Sequence, residues 1–255
     1  VVNTFMGKGA LPRSDDHCLM TMGLQGRDYI NIALDEADLV IAVGYDLVEY
    51  SPDFWNLHGG KKIIHIDFWP AEVDQYYPVD VDIVSDVADA LWQINEELNN
   101  RFTADDRLPL FDIADRAKLR AAMLDDFAME KDDQSFPMKP QKILWDVREY
   151  LGPSDILISD VGAHKVWISR YYQCDDANTC LISNGFCTMG FALPGAMGAK
   201  IANPDAKILS ICGDAGFLMN VQDLETLVRL KLNVVIMVWV DGEYGLIKWK
   251  QQNSF

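Results

Sequence analysis

Residues 207–252 constrain the fold of this chain more than any other stretch. The apolar run Ile208-Leu209-Ser210-Ile211-Cys212 ends in Gly213-Asp214-Ala215-Gly216. Residues 221–230 then place apolar side chains at helical spacing. A second apolar run, Val234-Val235-Ile236-Met237-Val238-Trp239-Val240, ends in Asp241-Gly242-Glu243-Tyr244-Gly245. The order is strand, acidic turn, helix, strand, acidic turn. Such a unit makes its two strands parallel, so both turns should meet at the carboxyl edge of one sheet, where open α/β sheets bind ligands. A helix starting near Gly216 would aim unpaired backbone N–H groups at the same spot, which favours phosphate. Two carboxylates beside a phosphate suit magnesium, a hard cation that takes oxygen ligands.

The chain has 255 residues, 49% of them hydrophobic, enough for about two domains. Its formal charge of −17 argues against nucleic acid and anionic membrane surfaces as partners. The five cysteines, Cys18, Cys174, Cys180, Cys187 and Cys212, form no CxxC pair. They read as free thiols of a cytoplasmic protein rather than as a disulfide or zinc framework. The sequence shows neither a signal peptide nor an apolar span of membrane length. It begins with Val1 and stops at Phe255, soon after the second acidic turn, so both ends are expected to be cut.

In chain order, residues 1–5 read as a short strand, followed by a loop around Gly7-Lys8-Gly9 that lacks the P-loop pattern. A helix is expected over residues 26–36 and strands over residues 39–44, 62–67 and 81–84. The run at 39–44 is wholly apolar, as a parallel sheet covered on both faces requires. His65 reads as a core histidine. Ser85 is the expected N-cap of a helix whose stripe is Val87, Leu91, Ile94 and Leu98. Residues 1–100 thus form one Rossmann-like domain, and residues 101–139 a charged linker with a surface helix near 112–131. Residues 140–255 form a second Rossmann-like domain, with a helix at 140–151, strands at 155–160 and 180–183, and a helix rich in small residues at 191–202. The fold class is α/β: two three-layer domains with mostly parallel sheets, the second truncated at its C-terminal end.

Gly213-Asp214 followed 27 positions later by Asp241 resembles the cofactor fingerprint of thiamine-diphosphate enzymes. The segments 159–167 (SDVGAHKVW), 182–199 (ISNGFCTMGFALPGAMGA) and 239–247 (WVDGEYGLI) are similar to the acetolactate synthase family. In residues 1–100, DEADLVIAVGYDLVEYSPDFWN and KKIIHID resemble the central domain of its flavin-free, catabolic-type branch. The flavin-containing branch typically has Arg-Phe-Asp-Asp where this chain has Gly44-Tyr45-Asp46-Leu47-Val48-Glu49, so the resemblance implies no FAD.

That resemblance implies thiamine diphosphate and magnesium as cofactors. Asp214 and Asp241 would bind the metal through carboxylates, and Glu243 through its backbone carbonyl. Ala163, His164, Gly185, Ala215, Gly216, Tyr244 and Gly245 would lie at the cofactor, and Met189 would support its bent conformation. The activating glutamate belongs to the family's pyrimidine-binding domain and is supplied by a neighbouring subunit. It has no match here, which leaves this chain without a catalytic residue of its own and implies a homodimer or homotetramer. The implied reaction condenses two pyruvates to 2-acetolactate with release of carbon dioxide. The flavin-free branch usually has Gln nine positions after the second metal-binding acid, and this chain has Lys250. That departure keeps other 2-oxo-acid carboligases, such as glyoxylate carboligase, in view. A non-catalytic binding or assembly module is a further alternative, against which the two intact acids argue.

Overall fold

The computed structural model describes residues 1–22, 29–103 and 114–254. The chain divides into two compact units, Gln25–Leu119 and a second assembled from Val1–Leu24 with Arg120–Phe255. Each holds its own all-parallel sheet flanked by helices, as alternating strands and helices require.

In Gln25–Leu119, α1 (Tyr29–Asp35) precedes β1 (Leu39–Val43), β2 (Lys62–Asp67), β3 (Val81–Val84) and α2 (Val87–Arg101). The start expected for α1 at residues 26–28 lies outside the described residues. The strand order is β1-β2-β3, with Leu39 opposite Lys62 and Ile64 opposite Val81. Successive residues of a strand point to opposite faces, and the described residues cover only one face of β1. Ala42 is buried there, whereas Leu39, Ile41 and Val43 are exposed. The expected two-sided burial of this strand is therefore corrected. Two features of α2 are corrected as well. Its N-cap is Asp86, one residue after Ser85, with the carboxylate accepting from the Asp89 N–H at 2.9 Å. Its apolar stripe is not sequestered among the described residues: Leu91, Ile94 and Leu98 are exposed, and Ala90 is the helix's buried residue.

His65 is a core histidine. Its Nδ1 lies 2.9 Å from the Tyr77 hydroxyl, and both residues are buried. Tyr45 and Trp55 complete this aromatic group, with ring centroids 5.6 and 6.2 Å from that of Tyr77. Trp55 Nε1 donates to the Tyr45 hydroxyl, which donates to the Tyr50 carbonyl. Burial raises the pKa of both Tyr45 and Tyr77, so both hydroxyls stay protonated. From the Gly44–Glu49 segment Tyr45 enters this aromatic group, while Gly44, Asp46 and Val48 are exposed.

In the second unit the elements are α3 (Ala114–Ala128), which runs in from the other unit, α4 (Pro140–Tyr150), β4 (Ile156–Ser159), α5 (Ala163–Tyr171) and β5 (Cys180–Ile182). They continue with α6 (Ala192–Ala202), β6 (Ile208–Gly213), α7 (Asp214–Met219), α8 (Leu224–Arg229), β7 (Val235–Trp239) and α9 (Gly245–Ser254). Residues 112–113, expected to open the linker helix, lie outside the described residues. The strand order is β5-β4-β6-β7. Alternation along β4 and β6 builds two cores. Leu157, Leu209 and Ile211 face Leu144, Val147 and Ile168 of α4 and α5. Ile156, Ile158, Ile208 and Cys212 face Ala192 and Ala196 of α6. The small residues of α6 permit close approach: a Cβ on Gly195 would lie 3.5 Å from Ile158 Cγ2.

Residues 1–5, expected as a strand, form no named strand: they meet residues 19–22 through an isolated bridge from Asn3 to Thr21 and backbone bonds such as that from the Leu19 N–H to the Val1 carbonyl at 2.8 Å, while Phe5 enters the core that includes Leu157. The Lys8 loop is an anchor rather than a flexible connector. Lys8 Nζ, buried, donates to Thr21 Oγ1 at 2.8 Å and to the Ser169 carbonyl at 2.9 Å. Gly9 is required beside it, at φ +86°, because a Cβ would stand 2.5 Å from the Asp176 carbonyl oxygen.

Candidate cofactor and metal site

The site forms at the carboxyl edge of β4, β6 and β7. Gly213 of β6 pairs in register with Trp239 of β7, which sets the two acidic turns on adjacent strands. Asp214 is half-buried at the first residue of α7. Its Oδ1 accepts from the Ala215 N–H at 2.7 Å, and its Oδ2 accepts from the Gly242 N–H at 2.9 Å. The second bond ties one acidic turn to the other. Asp241 is exposed, with Oδ1 accepting from the Glu243 N–H at 3.1 Å. Each carboxylate oxygen has two lone-pair directions, so these bonds leave capacity for a cation. The Glu243 side chain is occupied by Lys248, 2.5 Å away, which leaves its carbonyl as the group to offer a metal. Among the described residues no three His, Cys, Asp or Glu side chains converge as a metal cage. Two carboxylates completed by backbone and phosphate oxygens are the arrangement magnesium uses.

Gly245 brings a third loop in. A Cβ on it would lie 3.2 Å from Ala163 Cβ and 3.3 Å from Asp241 Oδ2. His164, beside Ala163, is buried, and its ring fills the space that a side chain on Gly162 would take and packs against Gly213. Its Nε2 has no hydrogen-bond partner among the described residues, although buried polar atoms are almost always partnered. Burial lowers the His164 pKa from 6.5, opposed by the Asp160 charge, the Asp160 backbone and the Asp241 charge. A buried, unpartnered ring nitrogen near two metal-competent acids fits an anionic group.

Sequence reasoning missed the hub of the site. Asp160, fully buried, follows the last residue of β4. Its carboxylate accepts from the Val161 N–H at 2.7 Å and from the Gly190 N–H at 2.8 Å. Gly190 is held from the other side by Asn220, whose Nδ2 donates to the Gly190 carbonyl at 2.7 Å. Gly190 has φ +83°, and a Cβ there would stand 2.8 Å from Asn220 Nδ2. This clamp fixes the residue that follows Met189, itself half-buried. Asp160 also crowds Gly216, where a Cβ would come within 3.1 Å of the carboxylate carbon. The available signal was position: Asp160 ends a strand at the same edge as Asp214 and Asp241.

Asp214, Asp241, Ala163, His164, Gly245, Ala215 and Gly216 are therefore brought together. Gly185, at φ +73°, is exposed with open space around it. The Tyr244 and Lys250 side chains are exposed, and among the described residues no hydrogen bond or ion pair joins them to Asp214 or Asp241. The helix at the first acidic turn begins at Asp214 rather than near Gly216 and is only 6 residues long.

Two family models match. Residues 1–94 fit the central domain of thiamine pyrophosphate enzymes, and residues 160–255 fit their C-terminal, thiamine-pyrophosphate-binding domain. With the parallel sheets and the paired acidic turns, these matches place the chain in the thiamine pyrophosphate enzyme family. Its relatives there include acetolactate synthases. It is 32% identical to the acetolactate synthase of Bacillus subtilis over the whole chain and 44% of that relative. It is 35% identical to the catabolic acetolactate synthase of Raoultella terrigena over 87% of the chain and 39% of the relative. It is 33% identical to a probable acetolactate synthase large subunit of Methanocaldococcus jannaschii, again over the whole chain but 43% of the relative. The chain therefore spans about two fifths of the length of these relatives. Among the described residues no helix is long and apolar enough to cross a membrane.

Proposed function

We propose that this chain is the cofactor-binding part of an enzyme that condenses two pyruvates to 2-acetolactate, releasing carbon dioxide, with magnesium and without flavin. The observation that carries this reading is the bond from the Gly242 N–H to Asp214 Oδ2, which binds the two acidic turns into one oxygen-rich edge. Thiamine diphosphate, when bound, supplies the electron sink for decarboxylation and carbon–carbon bond formation. The chain's own residues bind and orient. Asp214, Asp241 and the Glu243 carbonyl would hold magnesium as a template for the diphosphate. His164 Nε2 and the backbone around Ala163, Ala215, Gly216 and Gly245 would meet the diphosphate. The clamp on Gly190 would keep Met189 under the cofactor. A cytoplasmic homodimer or homotetramer belongs to the same reading.

The exposed Lys250 amine, in place of the expected amide, supports a second reading in which another 2-oxo acid such as glyoxylate is used. The test has two arms. Magnesium-dependent binding of thiamine diphosphate by the chain is measured calorimetrically in wild type, Asp214→Ala and Asp241→Ala. Each variant is expected to lose at least about tenfold in affinity, since an interaction of 1.4 kcal/mol is a factor of ten; unchanged affinity would reject the site. The same chain joined to the remaining domains of its relatives is then assayed with pyruvate, flavin omitted. Acetolactate supports the first reading, and carbon dioxide from glyoxylate but not from pyruvate selects the second.

A further inference from the structure

The loop between β5 and α6 carries a thiol that the site above does not use. Cys187 Sγ lies 3.2 Å from Lys165 Nζ, on α5. Both contact one acceptor, Asn184 Oδ1, at 3.4 Å from the sulfur and 3.0 Å from the nitrogen. Lys165 also sits over the Phe5 ring at 5.4 Å and is only 5% exposed, so its amine is held against the sulfur rather than swinging in solvent. Cys187 adopts φ +51°, a region that non-glycine residues rarely occupy. Its neighbour Phe186 is fully exposed, which opens the loop to small solutes. Cys18, Cys174, Cys180 and Cys212 are all buried, and Cys187 alone among the five is partly accessible.

We propose that Lys165 and Cys187 form a redox-sensitive pair that closes into a reversible nitrogen–sulfur bridge when a peroxide reaches it. Partly exposed cysteines beside lysine are the reactive ones, and a sulfenic acid condenses with a neighbouring nitrogen. Hydrogen peroxide is the oxidant. Its O–O bond breaks, an S–O bond forms, and the thiol becomes a sulfenic acid with loss of one water. The Lys165 amine, having given its ammonium proton to water, then attacks the sulfur. The S–O bond breaks, the S–N bond forms, and a second water carries off the hydroxyl and one amine proton. The peroxide is reduced, the sulfur is oxidised by two electrons, and a dithiol reverses the step. The bridge would tie the 183–190 loop, with Met189, to the first turns of α5. This goes beyond the function proposed above and does not rest on it.

The chain is treated with a small excess of hydrogen peroxide, digested without reductant and mapped by mass spectrometry. The expected product joins the peptides holding Lys165 and Cys187 and is lighter than their sum by two hydrogens. Thiols reactive after unfolding fall from the five of the sequence by one, and dithiothreitol restores them. Cys187→Ser, a change at a partly exposed position, and Lys165→Arg each abolish the product. Circular dichroism checks both folds, and Cys187→Ser alone decides the matter if the arginine variant unfolds. Cys187 carried to the sulfinic acid with Lys165 free overturns the proposal, as does prior oxidation of a buried cysteine. A bridge one oxygen heavier overturns the condensation step.

Discussion

At the scale of single residues, the site is held by one buried carboxylate and the two glycines beside it, Gly190, whose N–H it accepts, and Gly216, which it crowds. Gly190 tests this directly. An alanine there meets both an unfavourable φ and the Asn220 amide at 2.8 Å, so Gly190→Ala should destabilise by at least about 1–3 kcal/mol. A urea midpoint unchanged from wild type would remove the clamp from the account. His164 gives a pH dependence whose sign follows from burial. Its pKa lies below 6.5 in the folded chain, so the unfolded chain takes up the proton first. Stability is then lost as pH falls below 6.5, with a slope of at most about 1.4 kcal/mol per pH unit for one proton. His164→Asn should show a shallower acid limb than wild type when unfolding is compared on either side of that pH; parallel limbs would count against it. The sequence made Asp214 and Asp241 legible because acids after apolar runs mark strand ends. Asp160 shares that mark, but Gly190, which it binds, and Asn220, which holds Gly190 from the other side, are 30 and 60 positions away, and only folding shows that they converge.

At the scale of elements, period-two burial in β4 and β6 does most of the organising. Leu157 faces α4 and α5 from the middle of the sheet and is fully buried. Leu157→Ala should cost about 2–5 kcal/mol, read from chemical denaturation, and a loss below 1 kcal/mol would mean that the core collapses around the gap. Strands and their parallel order were legible because unbroken apolar runs alternate with helical spacing. Burial was less so. The stripe of α2 has the same three-and-four spacing as a buried face, yet Leu91, Ile94 and Leu98 are exposed in the described residues. Spacing defines a face; what covers it depends on residues distant in the chain. The N-cap shifted by one residue for a simpler reason: Ser85 and Asp86 can both cap, and the backbone places Asp86 three residues before the N–H it satisfies.

At the scale of the whole molecule, the chain corresponds to two domain types of its family and two fifths of the length of its relatives. The proposed function makes the isolated 255-residue chain inactive, since it contributes cofactor ligands but not the activating glutamate of the family. Acetolactate formed by the isolated chain from pyruvate, thiamine diphosphate and magnesium would refute that. Nothing in the spacing of residues 1–24 foretold that they join Arg120–Phe255 instead of the strands that follow them, because that assignment depends on Phe5 and Lys8 meeting partners about 160 residues away. The second unit is thus discontinuous in sequence, and this imposes an order on its making. A ribosome adding roughly 5–20 residues per second finishes Gln25–Leu119 before Ser169, the acceptor for Lys8, has been synthesised. The Lys8 ammonium must therefore wait in water while the intervening unit matures, and its docking is a late act of synthesis. A nascent chain stalled before residue 169 should leave the segment around Lys8 open to protease, and one carried past residue 255 should not.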